Sequence, residues 1–524
     1  MKDYLKPIMY ALLIAFGIVL GSLLSFNAKP AFLSKNSGKE KLSRLIDYID
    51  KEYVDNVNTD SIVDLTVNSI LAKLDPHSVY IPKSEMAATA ENMKGDFVGI
   101  GVNFYFYKDS LAVINPVPGS PSQKVGIKAG DRILFAGSRK LFGADVTTDT
   151  LVSVLKGEVN SEVDLEVYRR GEKELLKFKL SRDHIPIKSV DASYMLTPEL
   201  GYIKINRFAE STYQEFTTAL DSLIALNAKE LVLDLRGNPG GYVGIAEKIL
   251  DEFLPKDTPM LTTKNKSGKE TKSIATNKGR FENKPLYVLI DENSASASEI
   301  VAGALQDNDI GTIVGRRSFG KGLVQREMAL GDGSAVRLTI ARYYTPTGRS
   351  IQRPYENGVN AYYDDFYNRY ENGEFIDKDS IKVDDSLKFK TPKGKIVYGG
   401  GGIIPDVFVS TDTIQGSEAL RYLELNGNFN FFIFESIDEN RKAFSALTFK
   451  DFEEENVFPD SLVTKFINSY TERGLRLQYQ SFKDKLKVYL TANLAGQLFG
   501  NEYKAILLNK EDPVIRRVLE LDKK

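Results

Sequence analysis

The stretch LYVLIDENSASASEIVAGAL, residues 286–305, predicts a strand, a turn and a helix in succession. Its first five residues are all apolar, which favours a strand that is buried on both faces. Residues 300–305 have the composition of a helix, and the polar turn before them carries Ser296. Because a strand that feeds a helix is the repeating unit of α/β folds, the stretch predicts an α/β core with Ser296 at a strand-to-helix turn.

The segments around this unit extend the same pattern. Apolar runs predict strands at residues 201–205, 231–235 and 312–314, with helices at 213–226 and 245–253. Residues 95–182 differ, because their short β-rich runs are broken by Gly and Pro, and they predict a compact β-rich domain. Helical spacing between positions 39 and 93, and the charged composition beyond position 415, predict helical regions at both ends.

The composition excludes several classes of function. The 69 Lys and Arg residues are balanced by 71 Asp and Glu residues, so we expect no nucleic-acid partner. The chain has no cysteine, which rules out thiol nucleophiles, thiolate metal ligands, disulfides and a lipidated N-terminal cysteine. The two histidines, His77 and His184, have no recognisable catalytic setting, and both are interpreted as turn or packing residues.

An uncharged apolar run begins at Ile8 and ends at Phe26, after Lys2 and Lys6. At the rise of a helix this run is long enough to cross a bilayer, and no clear small-x-small cleavage site follows it. We therefore expect a retained membrane anchor with the rest of the chain outside the cytoplasm. The alternative is export after cleavage of this segment.

Ser296 has two interpretations. With Glu299 it fits a helix capping box, in which the serine only satisfies helix amides. Lys321, in the sequence FGKGLVQ (residues 319–325), favours a nucleophile instead. A lysine that is buried or lies beside another cation can stay neutral and accept the proton of a serine, and the glycines on both sides of Lys321 permit burial.

The turn RGNPGG, residues 236–241, lies at the end of another predicted strand. Backbone amides at such a glycine-rich turn can hold an oxyanion, because no side chain blocks the approach of a substrate. The alternative is a tight turn without a chemical role.

Together these motifs resemble the C-terminal processing peptidase family, also called the tail-specific proteases. The matching segments occur in the order LDPHS (74–78), RGNPGG (236–241), SASASE (294–299), FGKGLVQ (319–325), YTPTGRSI (344–351) and IPD (404–406). The resemblance covers roughly residues 40–410 and implies a crotonase-like α/β protease core with an inserted PDZ domain. It implies no metal or other cofactor.

By position, the resemblance implies that Ser296 is the nucleophile, Lys321 the general base and Gln325 the residue that orients the lysine. It also implies three oxyanion-hole amides, those of Gly240, Gly241 and Ala297. The expected function is that of a serine endopeptidase that cleaves exported proteins in or near their C-terminal regions.

The β-rich domain has its own signature of tail recognition. Gly99, Ile100, Gly101 and Val102 alternate glycine with apolar residues, which is typical of a loop whose amides form a nest for a chain end. The segments PGSP (118–121) and GIKAGDRI (126–133) strengthen the likeness to the family's PDZ domain. The predicted partners are protein substrates with free apolar C-termini, while assembly into a homo-oligomer and activation by a partner protein stay open.

The predicted organisation has five parts. They are an anchor or signal segment at 1–28, a helical region at 36–94, the PDZ domain at 95–182, the protease core at 183–412 with an insertion at about 355–395, and a C-terminal helical region of unknown role at 413–524. The predicted location is the cell envelope, with the protease on the periplasmic side of a bacterial inner membrane.

Two other functions fit parts of the sequence. Residues 315–321 have the G-x-x-x-x-G-K spacing of a phosphate-binding loop, but Gly322 replaces the required Ser or Thr and residues 323–330 predict a strand where a helix is needed. A catalytically inactive PDZ scaffold is the remaining alternative, although all three proposed catalytic side chains are present. A zinc protease would need an H-E-x-x-H motif, which is absent.

Overall fold

A computed structural model of the protein describes residues 9, 11–17, 38–411, 416–453, 460–472 and 479–523. The chain divides into two units, Met1–Lys73 and Leu74–Lys524.

The first unit contains helices α1 (Gly38–Glu52) and α2 (Thr59–Leu71). Helix α2 begins after Asn58, whose side chain accepts a hydrogen bond from the N–H of Ser61. The apolar run from Ile8 to Phe26 lies largely outside the described residues, of which it contains only Met9 and the helical residues 11–17. Among the residues that the structure describes, no helix combines the length and the apolar character needed to span a bilayer.

The second unit opens with a strand and a helix, which lead into the β-rich domain. In chain order its elements are β1 (Val79–Ile81), α3 (Lys83–Lys94), β2 (Asp96–Gly99), β3 (Val102–Tyr107), β4 (Ser110–Pro116), α4 (Pro121–Lys124), β5 (Arg132–Ala136), β6 (Arg139–Lys140), α5 (Thr148–Leu155), β7 (Glu162–Tyr168), β8 (Leu176–Ser181) and β9 (Asp183–Pro186).

The β-rich domain is built on a sheet of order β3-β4-β5-β7-β8, with β6 paired to β5, while β2 pairs with β9. Strand β7 alternates exposed and buried residues, because one face of this antiparallel sheet packs on the domain's core. Helix α5 contributes Leu151 and Leu155 to that core. Strand β3 lies at the edge of the sheet.

The α/β core follows. Its elements are β10 (Val190–Met195), β11 (Leu200–Ile205), α6 (Thr212–Ala225), β12 (Glu230–Asp234), α7 (Val243–Leu250), β13 (Pro259–Asn265), β14 (Glu270–Ile274), β15 (Leu286–Ile290), α8 (Ala297–Asp307), β16 (Thr312–Gly315), β17 (Leu323–Ala329), β18 (Ala335–Tyr344), α9 (Val359–Glu371), β19 (Lys388–Lys390), β20 (Ile396–Tyr398) and β21 (Val407–Phe408).

The main sheet has the order β10-β11-β12-β15-β16-β21, in which β10 is antiparallel and the other neighbours pair in parallel. Helices α6, α7 and α8 cover one face of this sheet. All eleven residues of α8 are buried, and its central residues 300–305 are small or apolar. A second sheet of order β1-β18-β13-β14, with β17 paired to β18, stands beside the main sheet.

Residues 355–395 include helix α9, two short 3₁₀ turns and strand β19, which pairs with β20 just after them. Tyr362 and Arg369 of α9 are buried, as are Glu374, Phe375 and Thr391. The predicted insertion thus packs several of its side chains against the core.

The C-terminal helices complete the structure. They are α10 (Ser417–Leu425), α11 (Asn428–Glu439), α12 (Arg441–Phe444), α13 (Phe449–Glu453), α14 (Asp460–Glu472), α15 (Lys483–Phe499), α16 (Asn501–Asn509) and α17 (Pro513–Asp522). Val514, Ile515 and Val518 of α17 pack on the second face of the main sheet. On the opposite side, Phe434 of α11 packs against Tyr107 of the β-rich domain.

Candidate active site

Ser296 is the residue that immediately precedes helix α8, at the carboxyl end of strand β15. Its backbone has φ 56° and ψ −112°, a conformation that a non-glycine residue adopts only at a cost of about 1–3 kcal/mol. The surrounding structure therefore holds the residue in a strained turn, as nucleophilic serines of hydrolases are held. Ser296 is half-buried.

Glu299 connects the two candidate catalytic residues. Its Oε2 accepts hydrogen bonds from the backbone N–H groups of Ser296 (2.9 Å) and Lys321 (2.8 Å). Its Oε1 accepts from the hydroxyl of Ser318 (2.5 Å) and from the N–H of Gly320 (2.7 Å). One fully buried carboxylate thus fixes the Ser296 backbone against the loop of Lys321, which is more than the helix cap that the sequence predicts. Burial raises the pKa of Glu299, and the four donors oppose that rise.

Lys321 lies in the loop between β16 and β17, and its ammonium donates to Oε1 of Gln325 at 2.9 Å. Nε2 of Gln325 donates in turn to the backbone carbonyl of His77. This second bond decides which end of the amide faces the lysine, because only the amide nitrogen can donate to a carbonyl. The structure therefore brings Gln325 to Lys321 in the orientation that the predicted role requires.

The pKa of Lys321 lies below its usual range because the side chain is partly buried and because the positive charge of Arg337 is near. The charges of Glu299 and Asp75 oppose that decrease. Within the described residues, no hydrogen bond joins the Ser296 hydroxyl to the Lys321 amine. Catalytic hydrogen bonds in substrate-free enzymes are often long and tighten only in the substrate complex.

The glycine-rich turn lies directly against Ser296. A Cβ atom on Gly240 would be 2.8 Å from Cβ of Ser296 and 2.8 Å from the nitrogen of Ala297. The Gly240 amide itself donates to Oδ1 of Asn238 at 2.8 Å, so it is occupied in this arrangement. In the part of the chain that the structure describes, the amides of Gly241 and Ala297 make no hydrogen bond. Of the three predicted oxyanion donors, these two are available in this arrangement.

The predicted tail-binding loop lies between strands β2 and β3 of the β-rich domain. The carbonyl of Ile100 accepts from the N–H of Ser122, and that of Gly101 accepts from the N–H of Val117 and the hydroxyl of Ser120. Among the described residues, the amides of Ile100 and Gly101 have no hydrogen-bond partner. Gly99 ends β2 and Val102 begins the edge strand β3. The loop therefore offers two amides beside a free strand edge.

Two residues near the site were not predicted to act there. The sequence indicates a turn or packing residue at His77, and its backbone carbonyl also accepts a hydrogen bond from Gln325. Its ring lies between Phe319 and Tyr362, and burial together with the charge of Lys321 lowers the pKa of His77 to about 3, so the ring is neutral. For Glu299 the sequence predicts only the helix cap. For His77, only the LDPHS segment of the family resemblance indicates a position near the site.

The rejected nucleotide site is not supported by the structure either, because the lysine loop leads into strand β17. A strained serine at a strand-to-helix turn, backbone amides without hydrogen-bond partners beside it among the described residues, and a partly buried lysine define a candidate serine hydrolase site. The comparisons with known proteins agree with this class. Residues 199–361 match peptidase family S41, residues 98–180 match the PDZ domain, and residues 419–500 match a family of unknown function (DUF8443).

The curated relatives include two bacterial proteases. The chain is 33% identical over 324 residues to the carboxy-terminal processing protease CtpB of Bacillus subtilis, an alignment that covers 61% of this chain and 66% of the relative. It is 34% identical over 320 residues to the carboxy-terminal-processing protease of Bartonella bacilliformis, which covers 60% of this chain and 73% of the relative. The chain thus spans about two thirds of the length of these relatives.

Among solved structures, the photosystem II D1 C-terminal processing protease has 25% sequence identity and a TM-score of 0.37, with 74% of this chain and 89% of that chain covered. The relatives in sequence decide the assignment: the chain belongs to the carboxy-terminal processing proteases, serine-type peptidases of family S41 with a PDZ domain. The predicted family and the predicted α/β core with an inserted PDZ domain are therefore confirmed.

Proposed function

We propose that the protein is a serine endopeptidase that uses Ser296 as nucleophile and Lys321 as general base to cleave exported proteins in or near their C-terminal regions. The observation that carries this proposal is the carboxylate of Glu299, which accepts hydrogen bonds from the backbone amides of both residues. This carboxylate holds the turn of Ser296 and the loop of Lys321 next to each other. The lowered pKa of Lys321 supports the second role, because only a neutral amine can accept the serine's proton.

The chemistry then follows from the positions of these groups. Ser296 Oγ attacks the scissile carbonyl as its proton passes to Lys321 Nζ, and the C–O bond forms while negative charge collects on the carbonyl oxygen. The amides of Gly241 and Ala297 stabilise that oxygen. The Lys321 ammonium next gives its proton to the leaving amine as the C–N bond breaks. Water then hydrolyses the acyl-enzyme, with Lys321 again acting as base.

Gln325 has an orienting role in this proposal. Its carbonyl oxygen accepts from Lys321 and its nitrogen is held by the carbonyl of His77, so the lysine has a fixed resting position. Because a neutral amine is needed, Arg at position 321 cannot replace Lys, since a guanidinium stays charged at working pH.

The test compares four full-length chains: wild type, Ser296→Ala, Lys321→Ala and Lys321→Arg. We expect wild type to cleave an unstructured polypeptide with an apolar C-terminus, and all three variants to be inactive while keeping the wild-type circular dichroism. Cleavage by Ser296→Ala would refute the assignment of the nucleophile. A serine-directed fluorophosphonate should label the wild type and should not label Ser296→Ala. If the protein were an inactive scaffold, the wild type would not be labelled either.

The PDZ domain is proposed to capture the free C-terminus of the substrate. The unpaired amides of Ile100 and Gly101 favour a carboxylate, and the edge of strand β3 offers a partner for an added strand. Amidation of the substrate's C-terminus removes the charge, so KM should rise while kcat stays close to its value for the free end. Equal KM values for the two ends would refute recognition of the terminus.

The proposed location is the cell envelope, with the protease domain outside the cytoplasm and the run from Ile8 to Phe26 retained as an anchor. Its basis is the sequence of that run. Membrane fractionation of cells that produce the chain tests it. Recovery of a shortened, soluble form alone would contradict a retained anchor.

A further inference from the structure

Helix α9, in the insertion between the YTPTGRSI and IPD motifs, carries only two buried residues, Tyr362 and Arg369. Both contact the part of the core that leads to the general base. The other residues of α9 are half-buried or exposed, so these two are the buried contacts that the helix itself makes with the core.

Tyr362 stands at the end of a chain of hydrogen bonds that reaches Lys321. Its hydroxyl lies 2.8 Å from Nε2 of His77. The backbone carbonyl of His77 accepts a hydrogen bond from Nε2 of Gln325, and Oε1 of Gln325 accepts one from Lys321. The histidine ring is neutral and the hydroxyl of Tyr362 is protonated, because burial lowers the pKa of His77 and raises the pKa of Tyr362. The hydrogen bond between Nε2 and the hydroxyl fixes the ring of His77, together with an edge contact between the two rings at 5.2 Å.

Arg353 gives a second link between α9 and the loop of the base. Its guanidinium carbon lies 4.1 Å from the ring centroid of Phe319 and 3.9 Å from that of Tyr362, so it is stacked between a loop residue and a helix residue. Its backbone N–H donates to the carbonyl of Gly320 at 3.1 Å, and its side chain pairs with Asp365 of α9 at 2.8 Å. Because Arg353 is almost fully buried, this stack is shielded from solvent.

Arg369 provides a third link. It donates to the backbone carbonyls of Ser318 (3.1 Å) and Arg317 (2.7 Å), and Glu374 pairs with the side chains of both Arg369 and Arg317. These carbonyls belong to the loop that ends at Lys321. The insertion thus holds this loop from outside, while Glu299 holds it from inside the core.

We propose that helix α9 is a positioning element for the general base and that Tyr362 is its principal positioning residue, acting through His77 and Gln325. This proposal rests on the proposed Ser/Lys chemistry. It assigns a catalytic purpose to the insertion. Without the hydroxyl of Tyr362 the ring of His77 loses its hydrogen bond, so the residue whose backbone carbonyl holds Gln325 is less firmly placed.

The test uses full-length Tyr362→Phe, which removes one oxygen and keeps the ring that stacks on Arg353. The matched control is Tyr367→Phe on the same helix, whose side chain is 68% exposed. With a polypeptide substrate of free apolar C-terminus, we expect kcat of Tyr362→Phe to fall about tenfold with KM changed less than twofold, because one hydrogen bond is lost and substrate binding is untouched. Tyr367→Phe should match wild type in both constants.

A double-mutant comparison separates positioning from a general loss of structure. If Tyr362 acts through Gln325, the variant with both Tyr362→Phe and Gln325→Ala should be no slower than Gln325→Ala alone. Multiplying effects would overturn the proposal, as would an unchanged kcat in Tyr362→Phe. If Tyr362→Phe lowers the unfolding temperature, a second variant is needed. Asp365→Asn weakens the pair with Arg353 at a partly exposed site, so it should lower kcat to a smaller extent and leave the unfolding temperature unchanged. An unchanged kcat in Asp365→Asn would then overturn the proposal.

The proposed function has its own control in this series. An active Ser296→Ala variant, or a wild type without activity, would overturn the Ser/Lys chemistry and this proposal together. An active wild type, an inactive Ser296→Ala and a Tyr362→Phe that behaves like wild type would overturn the positioning role alone.

Discussion

Replacement of Gly240 by alanine tests how closely the oxyanion turn approaches the nucleophile. Gly240 has φ +97°, and an added Cβ would lie 2.7 Å from the carbonyl oxygen of Ala295 and 2.8 Å from both the nitrogen of Ala297 and Cβ of Ser296. All three contacts are with the nucleophile loop. The alanine therefore pushes on Ser296, the proposed nucleophile.

The cost has two parts. A positive φ costs an alanine about 1–2 kcal/mol relative to glycine. Ordinary van der Waals contact begins near 3.4 Å, so the two loops must separate by about 0.6–0.7 Å, and overpacking of this kind costs about 1–3 kcal/mol more. Because a misplacement of 1 Å costs about 100-fold in rate, a shift of about 0.6–0.7 Å predicts that kcat/KM falls by about 15-fold to 25-fold.

Gly237→Ala is the matched control, since Gly237 also has a positive φ, +72°, but an added Cβ there meets no atom within 4 Å. Both variants should lose about 1–2 kcal/mol of unfolding free energy through backbone strain, and Gly240→Ala should lose about 1–3 kcal/mol more through overpacking, as measured by urea denaturation. Only Gly240→Ala should lose most of its activity. Equal activity of the two variants would refute the inferred contact between the oxyanion turn and Ser296. So would a Gly240→Ala variant as active as wild type.

Two further predictions concern the charges at the site. Glu299→Gln leaves at least one N–H facing an amide nitrogen instead of a carboxylate oxygen. The free energy of unfolding should therefore fall by about 1–3 kcal/mol, and kcat should fall as well. Wild-type values in urea denaturation and in turnover assays would contradict this prediction. Arg337→Gln removes a positive charge that lowers the pKa of Lys321, so that pKa should rise in the variant. The acid limb of the pH profile of kcat/KM should therefore move to higher pH. Arg326→Gln, which changes an exposed residue of β17, is the control and should leave the acid limb in place.

The elements of the core could be predicted because they are locally coded. The strand Leu286–Ile290 is apolar throughout since both of its faces are covered, and it occurs with the bounds that the sequence predicts. Helix α6 is predicted at 213–226 and occurs at Thr212–Ala225. Ser296, Lys321 and Gln325 could be selected because their motifs occur in one order along the chain.

The supporting contacts could not be predicted, since they join residues that are far apart in sequence. Tyr362 is 285 positions from His77, and the carbonyl of His77 that holds Gln325 belongs to the backbone, which leaves no trace in residue type. The occupation of the Gly240 amide by Asn238 is a local feature, but it depends on a side-chain rotamer that the letters RGNPGG do not specify. The role of Glu299 could not be predicted either, because the same residues Ser296 and Glu299 are expected for a capping box alone and for a carboxylate that also binds the loop of Lys321.

The C-terminal helices connect the two functional ends of the molecule. Asp512, which caps α17, pairs with Arg236 at 2.7 Å, and Arg236 also binds the buried Asp234 at the end of strand β12, directly before the oxyanion turn. At the other end, Asp438 of α11 pairs with Arg132 of the PDZ domain. Tyr107 belongs to β3, whose edge is the proposed site for a substrate tail, and it packs on the same helix. Because the contacts at both ends are buried or partly buried, helices α11 and α17 hold strand β3 and the glycine-rich turn in place. If the PDZ domain captures substrate tails as proposed, we expect the packing of these helices to help set which segment of a captured chain reaches Ser296.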